Sequence, residues 1–177
     1  MNEPMKKLFQ FFAMAMMAVT LCNCGGSDEP TPGPTPPAPE PEGKEVPVSV
    51  ENVSKTWQLT AWSPATEFPA ENQAAYLELR TNGTFKLYQK NINYTGVVFF
   101  IGDYTLDAEA KTITGTYSDG VKWASTYSIT SMKDNSMQWT VGSEVSTFEI
   151  ASEVPAEIAD IAIPGKDARS EVAFRLL

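Results

Sequence analysis

From about residue 50 onward, apolar and polar side chains alternate with a period of two over short stretches, and turn-forming residues separate the stretches. Such alternation predicts half-buried strands rather than helices, whose apolar positions recur every three or four residues. Between Val50 and Thr60, Trp57 and Leu59 share one face. Leu77 and Leu79 point one way while Glu78 and Arg80 point the other. The Asn82-Gly83 pair then predicts a tight hairpin, because such pairs readily take positive dihedrals. Phe85-Lys86-Leu87-Tyr88-Gln89 is the predicted returning strand.

The pattern continues to the end of the chain. Val97–Phe100 is apolar on both faces, which predicts either a partner patch or a cover by the later segment Pro155–Ile161. Gly102-Asp103 reads as a turn into Tyr104-Thr105-Leu106. Ile113, Gly115 and Tyr117 line one face before a turn at Ser118-Asp119-Gly120. Trp123, Ser125, Tyr127 and Ile129 share a face of the next expected strand. Asp134-Asn135 leads to Met137, Trp139 and Val141, and Gly142-Ser143 turns towards Val145–Ile150. Pro155–Ile161 is expected to form a short helix. In the last expected strand, Glu171–Leu177, Val172, Phe174 and Leu176 oppose Arg175 and Leu177.

About eight or nine short strands with hairpin-length connections predict an all-β antiparallel meander. Closing it into an up-and-down barrel of about eight strands removes the two edges that a lone sheet would expose. A sandwich has the same period-two pattern and stands as the alternative.

The first residues follow a different logic. Lys6 and Lys7 precede an apolar run from Leu8 to Val19, interrupted by Gln10. The run is too short to span a hydrocarbon core of about 30 Å as a helix of about 20 residues. It has the size and polarity of a secretory signal, assigned to residues 1–23. It ends at Cys22 and Cys24, the two cysteines of the chain. This segment resembles the lipobox of bacterial lipoproteins, whose peptidase prefers a small residue before the lipidated cysteine. Asn23 before Cys24 is smaller than Leu21 before Cys22, which favours Cys24, with Cys22 as the alternative. A diacylated cysteine would hold the chain on a membrane firmly, because each buried methylene contributes about 0.8 kcal/mol.

Residues 24–45 then form the expected tether. Ser27–Glu42 contains seven prolines and no large apolar side chain, so it predicts an extended spacer rising about 3.1 Å per residue. Residues 46–177 are left for one domain with one core. The chain carries 13 Lys and Arg against 22 Asp and Glu, a formal charge of -9. Without Glu3, Lys6 and Lys7 the balance becomes 11 against 21, or -10. That excess argues against a nucleic-acid partner, which basic residues must neutralise.

Several stretches carry a family resemblance: Lys55-Thr56-Trp57-Gln58-Leu59, Tyr76 through Phe85, Gly102 through Leu106, Ile113 through Tyr117, and Tyr127 through Met132. In their order and spacing they resemble the lipocalin-like domains of Bacteroidetes lipoproteins. The acidic flank Gly25-Gly26-Ser27-Asp28-Glu29 is similar to that of many surface-exposed lipoproteins of the same group. The resemblance implies an up-and-down barrel, an outer-membrane address and a small hydrophobic or amphipathic ligand. It also implies that Trp57 closes one barrel end beneath an arginine, here Arg175. The typical Gly-x-Trp is altered, with Lys55 in the glycine's place.

Candidate cavity residues are Phe85, Leu87, Phe100, Tyr117, Trp123, Tyr127, Met137, Trp139 and Phe148. An apolar pocket with a few polar handles suits small-molecule recognition, yet the same side chains could fill a small barrel completely. Catalysis finds little support. The chain has no histidine, which removes histidine-based triads and zinc sites of the usual kind. No cofactor is expected, and Asp103, Asp107 and Asp119 occupy turn-like positions. Two function classes follow: a tethered ligand-binding barrel, or a non-catalytic envelope interaction module with a solid core. The pattern names no protein partner.

Overall fold

The computed structural model describes residues 43–63, 65, 68–69, 73–90, 96–165 and 175–177. The signal segment, both cysteines and most of the tether lie outside the described residues, as does the 171–174 part of the last expected strand.

The elements are α1 (Val50–Val53), β1 (Thr56–Ser63), β2 (Ala74–Leu79), β3 (Thr84–Lys90), β4 (Val97–Asp107) and β5 (Thr112–Tyr117). They continue with β6 (Tyr127–Met132), β7 (Ser136–Val141), β8 (Glu144–Ile150), α2 (Ala156–Ala159) and β9 (Ala162–Pro164). Each of β1 to β8 pairs antiparallel with its sequence neighbours, and β8 returns to β1 with Trp57 opposite Ile150. The eight strands therefore close into an up-and-down barrel. The sandwich alternative is excluded because both ends of the meander are paired to each other.

Alternation sets the inside. Trp57, Leu77, Leu79, Phe85, Leu87, Ile113, Trp139 and Phe148 belong to one buried cluster. A fully buried side chain of this size contributes about 1.5–3 kcal/mol relative to exposure. The predicted β2–β3 hairpin forms, with the positive dihedral on Gly83 (φ +80°). There the Asn82 side chain accepts from the Thr84 amide at 3.1 Å.

Three expectations require correction. Residues 175–177 of the last expected strand lie in no strand, because Leu176 and Leu177 bond to the side chains of Gln89 and Tyr117 rather than to a neighbouring strand. Gly102 is not a turn: β4 runs unbroken through it. A Cβ at Gly102 would lie 2.1 Å from the Thr116 carbonyl oxygen and 2.8 Å from Phe85, so the glycine permits close approach within the sheet. Trp123 does not start a strand either. β6 begins at Tyr127, and Trp123 enters the core from the preceding loop, its amide bonded to the Gly115 carbonyl at 2.9 Å.

The outer face of the Val97–Phe100 run is covered as one of the two readings required. Phe99 packs with Tyr76 and Tyr88 in a second cluster that includes Ile158, Ala159 and Ala162 of the α2–β9 segment. β9 then pairs parallel with the start of β4, Val97 opposite Ala162 and Phe99 opposite Pro164. The helix itself spans Ala156–Ala159, inside the expected segment.

Candidate functional site

One edge of β4 has two partners with a break between them. β9 covers Val97 to Phe99, and β5 covers Gly102 to Asp107. Phe100 and Ile101 lie in the interval, where the Ile101 carbonyl accepts from the Ser118 amide at 2.8 Å. A pocket of about 470 Å³ opens at this gap. Phe99, Phe100, Ile101 and Tyr117 form much of its lining, with Pro164 and Gly165 on one side and Ser118, Asp119 and Arg175 on the other. A Cβ on Gly165 would come within 2.1 Å of the Phe100 ring. Glycine thus lets the chain run directly against that ring.

Tyr117 is the centre of the site. Its ring packs edge-on to Phe85 at 5.5 Å and Phe100 at 5.6 Å between centroids. Its hydroxyl donates to the Leu177 main-chain oxygen at 2.8 Å. Burial pushes the phenol pKa well above its ordinary value, and the Arg175 charge and the bond to the Leu177 oxygen act in the opposite direction without cancelling it. The hydroxyl is accordingly a fixed donor at physiological pH.

Arg175 lies over two rings, 4.4 Å from the Tyr117 centroid and 5.2 Å from that of Phe100. It also makes a two-armed ion pair with Asp119: Nη1 to Oδ1 at 3.2 Å and Nη2 to Oδ2. The Arg175 hydrogen bond, helped by the Val121 amide, holds the exposed Asp119 carboxyl below its ordinary pKa. The same bond raises the guanidinium further. This corrects the expected position of Arg175 over Trp57. A planar guanidinium gains more where ring faces and a bidentate carboxylate coincide, and the 118–120 turn brings Asp119 there. Trp57 is held otherwise, its indole N–H donating to the Val53 carbonyl of α1 at 2.8 Å. Lys55 stands 6.0 Å above its ring.

All nine candidate cavity residues are buried in the main cluster. The aromatic ones touch: Phe85–Trp123 at 5.1 Å, Trp123–Trp139 at 5.9 Å, Tyr127–Trp139 at 5.5 Å and Trp139–Phe148 at 4.8 Å. Phe100 and Tyr117 also border the pocket, whereas Phe85, Leu87, Trp123, Tyr127, Met137, Trp139 and Phe148 do not line it. The indole N–H groups of Trp123 and Trp139 are buried without a hydrogen-bond partner. Burial raises the Tyr127 pKa, and Glu144 adds to the shift.

Sequence reasoning missed Gln89, Leu177 and the role of Asp119. Gln89 is 3% exposed, and its Oε1 accepts from the Leu176 amide at 3.2 Å. Its signal was visible: it shares the inward parity of Phe85 and Leu87 and is the polar residue of that row. Among the described residues, no group of three or more Cys, Asp or Glu is placed to hold a metal ion. No helix among them is long and apolar enough to cross a membrane.

A closed eight-stranded antiparallel barrel with an aromatic interior and a wall pocket belongs to the up-and-down barrels. Residues 53–139 match the family model of the lipocalin-like domain, and the closed antiparallel barrel is lipocalin-like in fold. Its fold is similar to that of a protein from Bacteroides uniformis ATCC 8492 solved by NMR. That match has 15% identity and a TM-score of 0.46, covering 60% of this chain and 94% of the other. A lipocalin-like protein from the same strain gives 15% identity and a TM-score of 0.46, over 56% of this chain and 99% of that one. A protein from Bacteroides eggerthii DSM 20697 gives 15% and 0.40, over 55% and 98%. No curated protein matches the chain.

Proposed function

We propose that this lipocalin-like protein is a non-catalytic, membrane-tethered binder of a small hydrophobic or amphipathic ligand. The reading rests on the pocket of about 470 Å³ at the β4 gap. Its volume lies in the range of small-molecule sites, roughly 300–1,000 Å³. The apolar body of a ligand would lie on Phe100, Tyr117 and Ile101, and its polar end beside the Arg175–Asp119 pair. The binding position is therefore the wall rather than the barrel axis, because the interior rings already touch one another. Lipidation at Cys24, or at Cys22, would fix the domain to the outer membrane through the proline-rich spacer.

The contacts among Phe85, Trp123, Trp139 and Phe148 favour a second reading, an envelope interaction module with a solid barrel. Native mass spectrometry of protein purified from its own envelope separates the two. A co-purifying lipid-like mass, lost when Phe100 is changed to Asp in a folded variant, supports ligand binding. A bare protein mass, with no uptake from a panel of apolar ligands, rejects it.

A further inference from the structure

We propose that the barrel end around Tyr117 and Gln89 is a receptor for an extended peptide segment, and that residues 175–177 of this chain occupy it as a tethered ligand. The inference goes beyond the small-ligand reading and does not rest on it, although the segment supplies Arg175 to the pocket wall. Residues 175–177 belong to no strand. Barrel side chains hold their main chain: the Leu176 N–H donates to Gln89 Oε1 at 3.2 Å, and the Leu177 oxygen accepts from the Tyr117 hydroxyl at 2.8 Å.

Side chains are read as well. Leu177 is 6% exposed and lies in the main core cluster. Arg175 rests on the rings of Tyr117 and Phe100 and pairs with Asp119 in two arms. Main-chain hydrogen bonds combined with side-chain sockets are how proteins read extended peptides, the former supplying affinity and the latter specificity. A buried amide such as Gln89 costs free energy unless hydrogen-bonded. The segment's N–H is one of the groups that meets this need. The socket is thus specific for a leucine with an arginine two residues earlier.

Covalent attachment gives such a segment an effective concentration in the millimolar range, so a free peptide competes poorly until the tethered one is expelled. The test uses the full chain with Leu177→Asp, which expels the segment by placing a carboxylate in the apolar socket. Added synthetic peptide of residues 171–177 should bind this variant saturably and raise its Tm. It should bind the unsubstituted chain at least about tenfold more weakly. The same peptide carrying aspartate for leucine at its last position should not bind. Saturable binding of both peptides alike, or of neither by the folded variant, overturns the proposal. A second reading needs no variant to fold. At millimolar unlabelled peptide, the Leu176 amide resonance of the isotope-labelled unsubstituted chain should shift saturably as its own segment is released, and an unmoved resonance overturns the proposal.

Discussion

Trp123 fills the space that a side chain on Gly115 would need: a Cβ there would stand 2.3 Å from Trp123 Cε2 and 2.7 Å from Cδ2. The glycine on β5 and the tryptophan of the following loop form one packing unit, joined also by the Trp123 amide and the Gly115 carbonyl. Gly115→Ala should therefore push the indole out of register with Trp139 and Phe85. Overpacking of this kind costs about 1–3 kcal/mol. Urea unfolding followed by tryptophan fluorescence should show a lower midpoint and an altered native spectrum; an unchanged midpoint would remove the indole from this role.

The buried indoles differ in how their N–H groups are satisfied, and substitution should expose the difference. Trp57 donates to Val53 at 2.8 Å, whereas Trp139 has no partner for its N–H. Both substitutions to phenylalanine lose similar volume. Trp57→Phe additionally leaves the Val53 carbonyl without this donor, a loss of about 0.5–1.5 kcal/mol for a neutral hydrogen bond. Denaturant melts of the two variants should place Trp57→Phe lower. The reverse order would contradict the assigned hydrogen bonding.

Acid should loosen the segment that Arg175 anchors. Asp119 has a folded pKa below its unfolded value because Arg175 hydrogen-bonds its charged form. Its contribution is then fully present above the unfolded carboxylate value of about 3.9. It is lost as pH falls through the folded value. Relative to intrinsic exchange, the protection of the Leu176 and Leu177 amides should fall over that acid window, and Asp119→Asn should abolish this pH dependence of protection. Identical acid profiles in the two proteins would show that another group controls the segment.

The proposed anchor has its own measurement. In cells labelled with a fatty acid, Cys24→Ser should leave the precursor unprocessed and unlabelled, while Cys22→Ser is processed. Loss of label in the Cys22 variant alone would transfer the anchor to Cys22.

Fold and site were not equally legible in the chain. The inward positions of β2, β3, β5 and β7 follow from alternation, since a strand buried on one face must repeat every second residue. The same rule misread Trp123, which matches the parity of Tyr127 and Ile129 yet precedes β6. Period-two spacing cannot distinguish a strand residue from a loop residue folded back onto the core. Gly102 was misread for a related reason: a glycine that admits a neighbouring chain looks like a glycine that turns its own.

By itself, the sequence determined which residues face inward, the hairpin at Asn82-Gly83 and the antiparallel meander. These depend on local dihedrals and on burial of one face, both written into adjacent residues. Tertiary structure alone decided that β8 returns to β1, and that α2 and β9 cover Phe99. It also decided that Arg175 meets Asp119, Tyr117 and Phe100 rather than Trp57. Those contacts join positions far apart in the chain. Their partners are selected by shape and charge only after the barrel closes, so no local pattern encodes them.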